Sequence, residues 1–444
     1  MVGSSLAVPH EAAQARHRHN HFHGAWHHVA RHRHLHPEWP LQIPGAQYLP
    51  MNFSDVIGWD ADDLLAAFKT FRGSCRAVFA QDDTAKPIGL SLREPCRAAR
   101  VDHIADTAAA RAFFQRHFVA LQISKLGDAD GFVTGYYEPV IEGSTVRTDQ
   151  FTVSVYRRPS NLFVRGYKQD DPLPNGGAVY RKIGRRKLVP YYDRAQIEDG
   201  AIAGRGLEIC WLASQTDLLF AQIQGSARVK LAGGGVIRLN YDAHNGFPYT
   251  PVGRILIERG LVPKEQMSMQ RIRDWMEANP DGANELRRAN RSYVFFRKLN
   301  LKEDDEAVGA QGVPLTPNRS IAVDKNLHAY GTPFFIAGEL PIEAPQAKTP
   351  FHQLMIAQDT GSAIVGPARA DLYFGAGPEA GAIAGRIRQP ARFWMLLPVG
   401  LDPVARGRTL PLPESRPQQT SAGKPKAQPS HRGRARHHHH HRHR

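Results

Sequence analysis

No stretch of this 444-residue chain reaches the roughly 18 consecutive apolar residues of a transmembrane helix. The N-terminus also lacks the apolar core and cleavage site of a signal peptide, which taken literally predicts a cytosolic protein. Histidine is nearly missing from the body: only His103, His117, His244, His328 and His352 fall between residues 41 and 430, and no two of them have ligand spacing. No metal and no cofactor are therefore expected. Zinc-finger spacing, an aromatic and glycine RNA-binding string and a basic recognition helix are all wanting, which argues against nucleic acid despite a net charge of +15. That charge is uneven, because ten Lys or Arg against two acids beyond Gly400 leave the body only mildly basic. Cysteine is scarce, with three in all. Cys75 and Cys96 flank the loop-like segment AVFAQDDTAKPIGLSLREP, either as a disulfide or as two reduced thiols, and Cys210 reads as a small core residue.

What is present centres on LMIAQDTGSAIVG, residues 354–366. Leu354, Met355 and Ile356 read as a short buried strand that carries Asp359 to its end, where Gly361 and Ser362 let the backbone turn beside the acid. Asp-Thr-Gly-Ser after an apolar run also marks aspartic proteases, which need a second such motif to share a proton. The chain has no second copy, so a protease would have to dimerise through this segment; the other readings are a lone acid at a cleft and a turn-capping Asp.

Folded sequence is expected from near Trp59, with Asp60 or Asp62 capping a helix through Leu64, Leu65, Phe68 and Phe71 that stops at Gly73. A second helix is expected over 106–117. Short strands follow from Gly131, and Tyr136, Tyr137 and Glu138 form an aromatic and acidic clump of the kind that stacks and hydrogen-bonds sugars. In LLFAQIQGSARVKLAGGGVIRLNY two alternating strands flank a glycine turn, and ahead of it Gln222, Gln224 and Ser226 fall on one face at period two, as suits an uncharged, hydroxyl-rich ligand or a solvated strand face. Helices return over 253–259 and 268–278. A run of six short strands then ends near Pro398, interrupted by a helix over 377–386, and points to a small closed barrel. The His-rich first 50 residues and the basic His/Arg tail, 401–444, read as disordered.

Six collinear stretches resemble the lytic murein transglycosylase A family with its three-aspartate barrel domain. They are GYYEP (135–139), FAQIQGSARV (220–229), NYDAHNGFPYTPVGR (240–254), NRSYVFFR (290–297), GVPLTPNRSIAVD (312–324) and QDTGSAIVGPARADLYFGAG (358–377). The resemblance implies a mainly β fold: a double-psi β-barrel domain in two segments, 51–150 and 287–400, with a β-rich domain inserted at 151–286 and a few helices. It implies a peptidoglycan lytic exotransglycosylase that cleaves the β-1,4 bond between N-acetylmuramic acid and N-acetylglucosamine and leaves 1,6-anhydromuramic ends. Asp359 would be the catalytic acid. Tyr136, Glu138, Gln222, Gln224, Ser226, Asn245, Asp324 and Asp371 would bind substrate or tune the acid. The family setting also favours the Cys75–Cys96 disulfide, the periplasm, peptidoglycan strands as partner, and association with the outer membrane or other wall enzymes. Two other classes fit the residues: a hydrolase using a second carboxylate, and a non-catalytic wall-binding barrel.

Overall fold

The computed structural model describes residues 43, 45–81, 90–164, 179–183 and 187–401; most of the expected disordered ends and the glycine-bounded segment 166–177 lie outside them. The strands, in chain order, are β1 (Ala46–Met51), β2 (Phe118–Lys125), β3 (Gly131–Glu138), β4 (Val140–Ser144), β5 (Val153–Tyr156) and β6 (Phe163–Val164). They continue with β7 (Val179–Ile183), β8 (Lys187–Pro190), β9 (Glu208–Leu212), β10 (Ser226–Leu231), β11 (Val236–His244) and β12 (Val294–Leu299). The last five are β13 (Ser320–Val323), β14 (Pro333–Leu340), β15 (Thr349–Asp359), β16 (Arg369–Ala376) and β17 (Arg388–Pro398).

Six strands close a barrel in the order β17-β14-β15-β13-β16-β3, sealed by pairing of β3 with β17, and β2 and β1 extend the sheet beyond β17. Two pairs run parallel, β13 with β15 and β3 with β16, and the other barrel pairs are antiparallel. This is the double-psi barrel, and five of its strands lie between Ser320 and Pro398 while β3 comes from far earlier in the chain. Its apolar runs are continuous because both faces are covered. Phe334, Ile336, Met355, Ala357, Phe393 and Met395 fill the barrel. Their neighbours Phe335, Leu354, Ile356 and Trp394 point outward under the helices Leu64–Ala80 and Thr107–His117. A strand buried on both sides loses the alternating pattern, as these have.

Between β3 and β13 the chain builds a second sheet, ordered β12-β11-β10-β4-β9-β5, over its own apolar core, and a small sheet, β6-β7-β8. The excursion starts and ends differently from the expected 151–286. β4 already pairs in parallel with β10, and β12 still pairs with β11 through Val294 and Leu299, so the chain leaves the barrel after Glu138 and returns beyond Leu299.

Three further expectations are corrected. The ordered chain starts before Trp59 and inside the first 50 residues, because β1 pairs with β2 from Ala46 to Met51 and Ile43 is buried. Asp63, not Asp60 or Asp62, caps the first helix by accepting from Ala66 N–H, and the helix runs through Gly73 to Ala80. Cys75 and Cys96 are joined, and they lie within the helices Leu64–Ala80 and Arg93–Val101, so the disulfide ties two helices rather than the ends of a loop. Among the described residues no helix is long and apolar enough to cross a membrane.

Candidate active site

β15 ends at Asp359, and the geometry around that carboxylate is asymmetric. Its Oδ1 accepts two backbone N–H groups, from Ala310 and Thr360, both at 2.9 Å. Its Oδ2 accepts the phenol O–H of Tyr136 at 3.0 Å. Burial pushes the acid up to about 6, the three hydrogen bonds pull it down, and the charge of Asp371 adds to the rise. With Oδ1 occupied by two donors, Oδ2 is the oxygen left to carry the proton.

The Ala310 N–H is delivered by the loop 307–315, folded on itself by Leu315 N–H to Ala307 O and Gly309 N–H to Val313 O. The loop docks on β15 through Gln311 N–H to Gln358 O at 3.0 Å. A side chain at Gly309 is ruled out by contact, since a Cβ there would lie 2.5 Å from Gln358 O. Behind the strand, the buried Gln358 amide donates to Ser74 Oγ at 2.7 Å and accepts from Ser320 Oγ. Arg319 pairs with Asp62 at 2.8 and 3.0 Å, and Asp62 accepts from Leu354 N–H at 2.7 Å. The first helix and β15 are thus clamped together on the side away from the carboxylate.

Tyr136 is itself fixed from below. Its ring packs on Tyr373, centroids 5.2 Å apart, within a cluster completed by Ala307, Leu315, Ala322 and Ile364. Tyr373 donates to Glu306 at 2.8 Å. Asp371, two residues before Tyr373, accepts from Thr134 Oγ1 at 2.7 Å; burial pushes it up while Arg369 and Thr134 hold it down. Tyr330, pushed up first by burial and then by the Asp359 charge, completes the surroundings.

Of the residues expected at the site, Tyr136 bonds Asp359 and the charge of Asp371 reaches it, while the others are engaged with groups of the fold. Glu138 is buried between Arg228, at 2.7 Å, and Arg238, at 3.0 Å, and its charge is neutralised there instead of facing a ligand. Gln222, Gln224 and Ser226 do not share a strand face, because residues Gln215–Gln224 form a helix capped by Ser214 and closed by left-handed Gly225. Two positions along a helix are rotated by about 200°. Gln222 donates to Val294 O, Gln224 accepts from Tyr137 N–H, and Ser226 is buried at the start of β10. Asn245 is consumed by backbone: it donates to Tyr192 O and Arg291 O and accepts from Tyr293 N–H. Asp324 caps the turns at Asn326 and Gly366, which ties the loop after Asp359 to the end of β13. Among the described residues no three His, Cys, Asp or Glu come together as metal ligands.

Sequence reasoning missed the Ala310 N–H, which carries no side-chain signal beyond the glycines around it, and Glu306 and Tyr330, whose roles depend on where their loops land. Known proteins resemble this chain along most of its described length. Residues 132–297 match the MltA specific insert domain and residues 319–397 the 3D domain. The chain is 34% identical over 277 residues to membrane-bound lytic murein transglycosylase A of Vibrio cholerae, covering 61% of this chain and 67% of that protein. It is 32% identical over 268 residues to the Escherichia coli K12 protein of the same name, covering 59% and 64%. Among solved structures, a membrane-bound lytic murein transglycosylase from Agrobacterium tumefaciens superposes with a TM-score of 0.71 at 34% identity, over 82% of this chain and all of that one. E. coli MltA with bound chitohexaose superposes with a TM-score of 0.57 at 27% identity, over 79% of this chain and 94% of that one. The chain belongs to the membrane-bound lytic murein transglycosylase A family.

Proposed function

We propose that this protein cleaves the β-1,4 bond between N-acetylmuramic acid and N-acetylglucosamine in peptidoglycan without water, with Asp359 as its acid and base. The observation that carries the reading is the asymmetric carboxyl: one oxygen saturated by two N–H groups, the other held by Tyr136. Asp359 Oδ2 gives its proton to the glucosamine O4 as the C1–O4 bond breaks. The 6-hydroxyl of the same muramic acid then attacks C1, and its proton returns to Oδ2, closing the 1,6-anhydro ring and resetting the acid. An internal nucleophile has a high effective molarity, so no second carboxylate is needed to activate water. An acid near 6 is protonated in about one molecule in ten at neutral pH, and the glycan's own burial of the site raises that share.

The alternative hydrolase draws on Asp371, the carboxylate whose charge reaches Asp359. Glu138 and Asp324 are already engaged, the first salt-bridged twice and the second bonded to two backbone N–H groups. The bound chitohexaose of the E. coli relative supports a saccharide ligand here. The relatives' names carry a membrane, and the Cys75–Cys96 disulfide suits an oxidising compartment, which together support the periplasm, with outer-membrane association.

Digestion of peptidoglycan in H₂¹⁸O tests the reaction. The expected products end in anhydromuramic acid without heavy oxygen, and Asp359→Asn yields none of them while remaining folded. Heavy oxygen on the reducing end of the primary product would replace this reading with hydrolysis.

A further inference from the structure

β3 and β16 run parallel with Phe132 beside Arg369, Thr134 beside Asp371 and Tyr136 beside Tyr373. Val133, Ala370, Leu372 and Phe374 point into the barrel, which leaves this second set on the outer face that carries Tyr136 to Asp359. Tyr136 and Asp371 serve the acid. Arg369, at the far end of the same row, has no part in the chemistry above.

Its setting is nevertheless built. The guanidinium stands 5.6 Å over the ring of Phe132, an aromatic left 38% exposed. Nη2 donates to Thr134 Oγ1 at 2.8 Å, and Nη1 donates to Ala370 O. Thr134 in turn donates its O–H to Asp371 Oδ1. These contacts use two of the five guanidinium donors; among the described residues Arg369 makes no salt bridge within 4.0 Å, and the Asp371 carboxylate acts on it only through its charge and the shared Thr134. The loop that follows Asp359 ends beside it, since a Cβ at Gly366 would lie 3.9 Å from that of Arg369. Four residues of strand, about 13 Å, separate the Phe132 level from the Tyr136 level, so a glycan held at Asp359 and lying along this face passes Arg369.

We infer that Arg369, with Phe132 and Thr134, is a carboxylate-binding subsite of the groove, a proposal that rests on the peptidoglycan reading above and adds to it. A half-buried, fork-shaped cation that no carboxylate touches, with three donors left over, suits a bidentate anion. N-acetylglucosamine carries none. The carboxylates on a murein strand are the lactyl acid, free where the peptide has been removed, and the acids of the peptide stem. Stacking over Phe132 fixes the plane of the fork, and the Thr134 bond fixes its rotation.

The test compares wild type with Arg369→Gln on three ligands: glycan strands stripped of peptide, strands bearing stems, and neutral chitohexaose, the last by binding alone. The subsite predicts a fall of about tenfold or more in kcat/KM on at least one carboxylate-bearing substrate, carried by KM and abolished at high salt, with chitohexaose affinity unchanged. A fall confined to stripped strands identifies the lactyl acid, and one confined to stem-bearing strands identifies the peptide. An equal loss on all three ligands, or no loss on any, overturns the subsite. Should Arg369→Gln fail to fold, Arg369→Lys retains the charge without the fork; a partial, salt-sensitive KM defect supports the proposal and an unchanged KM overturns it. If wild type bound these ligands but released products carrying ¹⁸O, the transglycosylase reading would fall and the subsite would stand.

Discussion

Asp359 is more comfortable neutral than charged, and the fold bears the cost. Its folded value near 6 lies above the ordinary carboxylate value, so the native state holds a proton that the unfolded chain has already lost. Stability contributed by this group is therefore complete below about pH 4 and declines as pH rises to 6. Asparagine keeps the shape and removes the titration. Melting temperatures of Asp359→Asn should match wild type at pH 4 and exceed it at pH 8; a variant less stable than wild type at pH 8 would contradict the raised acid. The carboxyl itself was legible in the sequence, since only an acid after a buried run and before Gly361 combines delivery with access. Glu138 and Asn245 misled because polar residues near an aromatic clump look the same whether they face a ligand or, as here, two arginines and three backbone groups.

At the scale of elements, the loop 307–315 acts on the acid through a single backbone N–H. Gly309→Ala would drive a Cβ into Gln358 O and lift Ala310 from Oδ1. The Ala310 bond lowers the acid, so its loss should move the alkaline limb of the pH–rate profile upward and cut turnover about tenfold, with circular dichroism unchanged. A limb that stays in place would show that the loop does not set the acid. Element types were readable where period and punctuation agreed, as in the glycine turn between β10 and β11 and the helix Met269–Ala278 with Ser268 at its cap. They failed at Gln215–Gln224, where a helix buried on most sides shows no clean face and the alternating glutamines imitate a strand. β1 escaped notice for a related reason, because Pro50 and alternating exposure fit an edge strand as well as a loop.

Across the whole molecule, β1 protects the outer edge of the sheet that carries the barrel. A chain beginning at Asn52 should lose Ile43 from the core and leave β2 with one open edge, lowering the melting temperature by several degrees. An unchanged melt would mean that β1 is dispensable. A closed barrel was visible in the run of short strands, but the pairs that close it were not, because pairing of β3 with β16 and β17 links residues that no local pattern connects. That closure governs when the enzyme comes into being. Tyr136 and Asp359 are 223 positions apart, and the strands that must flank β3 are the last to be synthesised. Contacts of such long range are slow to form, and β3 must wait, unpaired, while the second sheet folds between its partners. The Tyr136–Asp359 hydrogen bond is then among the last contacts made, so a chain interrupted anywhere before β17 lacks the closed barrel that holds it, and the capacity to cut the wall waits on that closure.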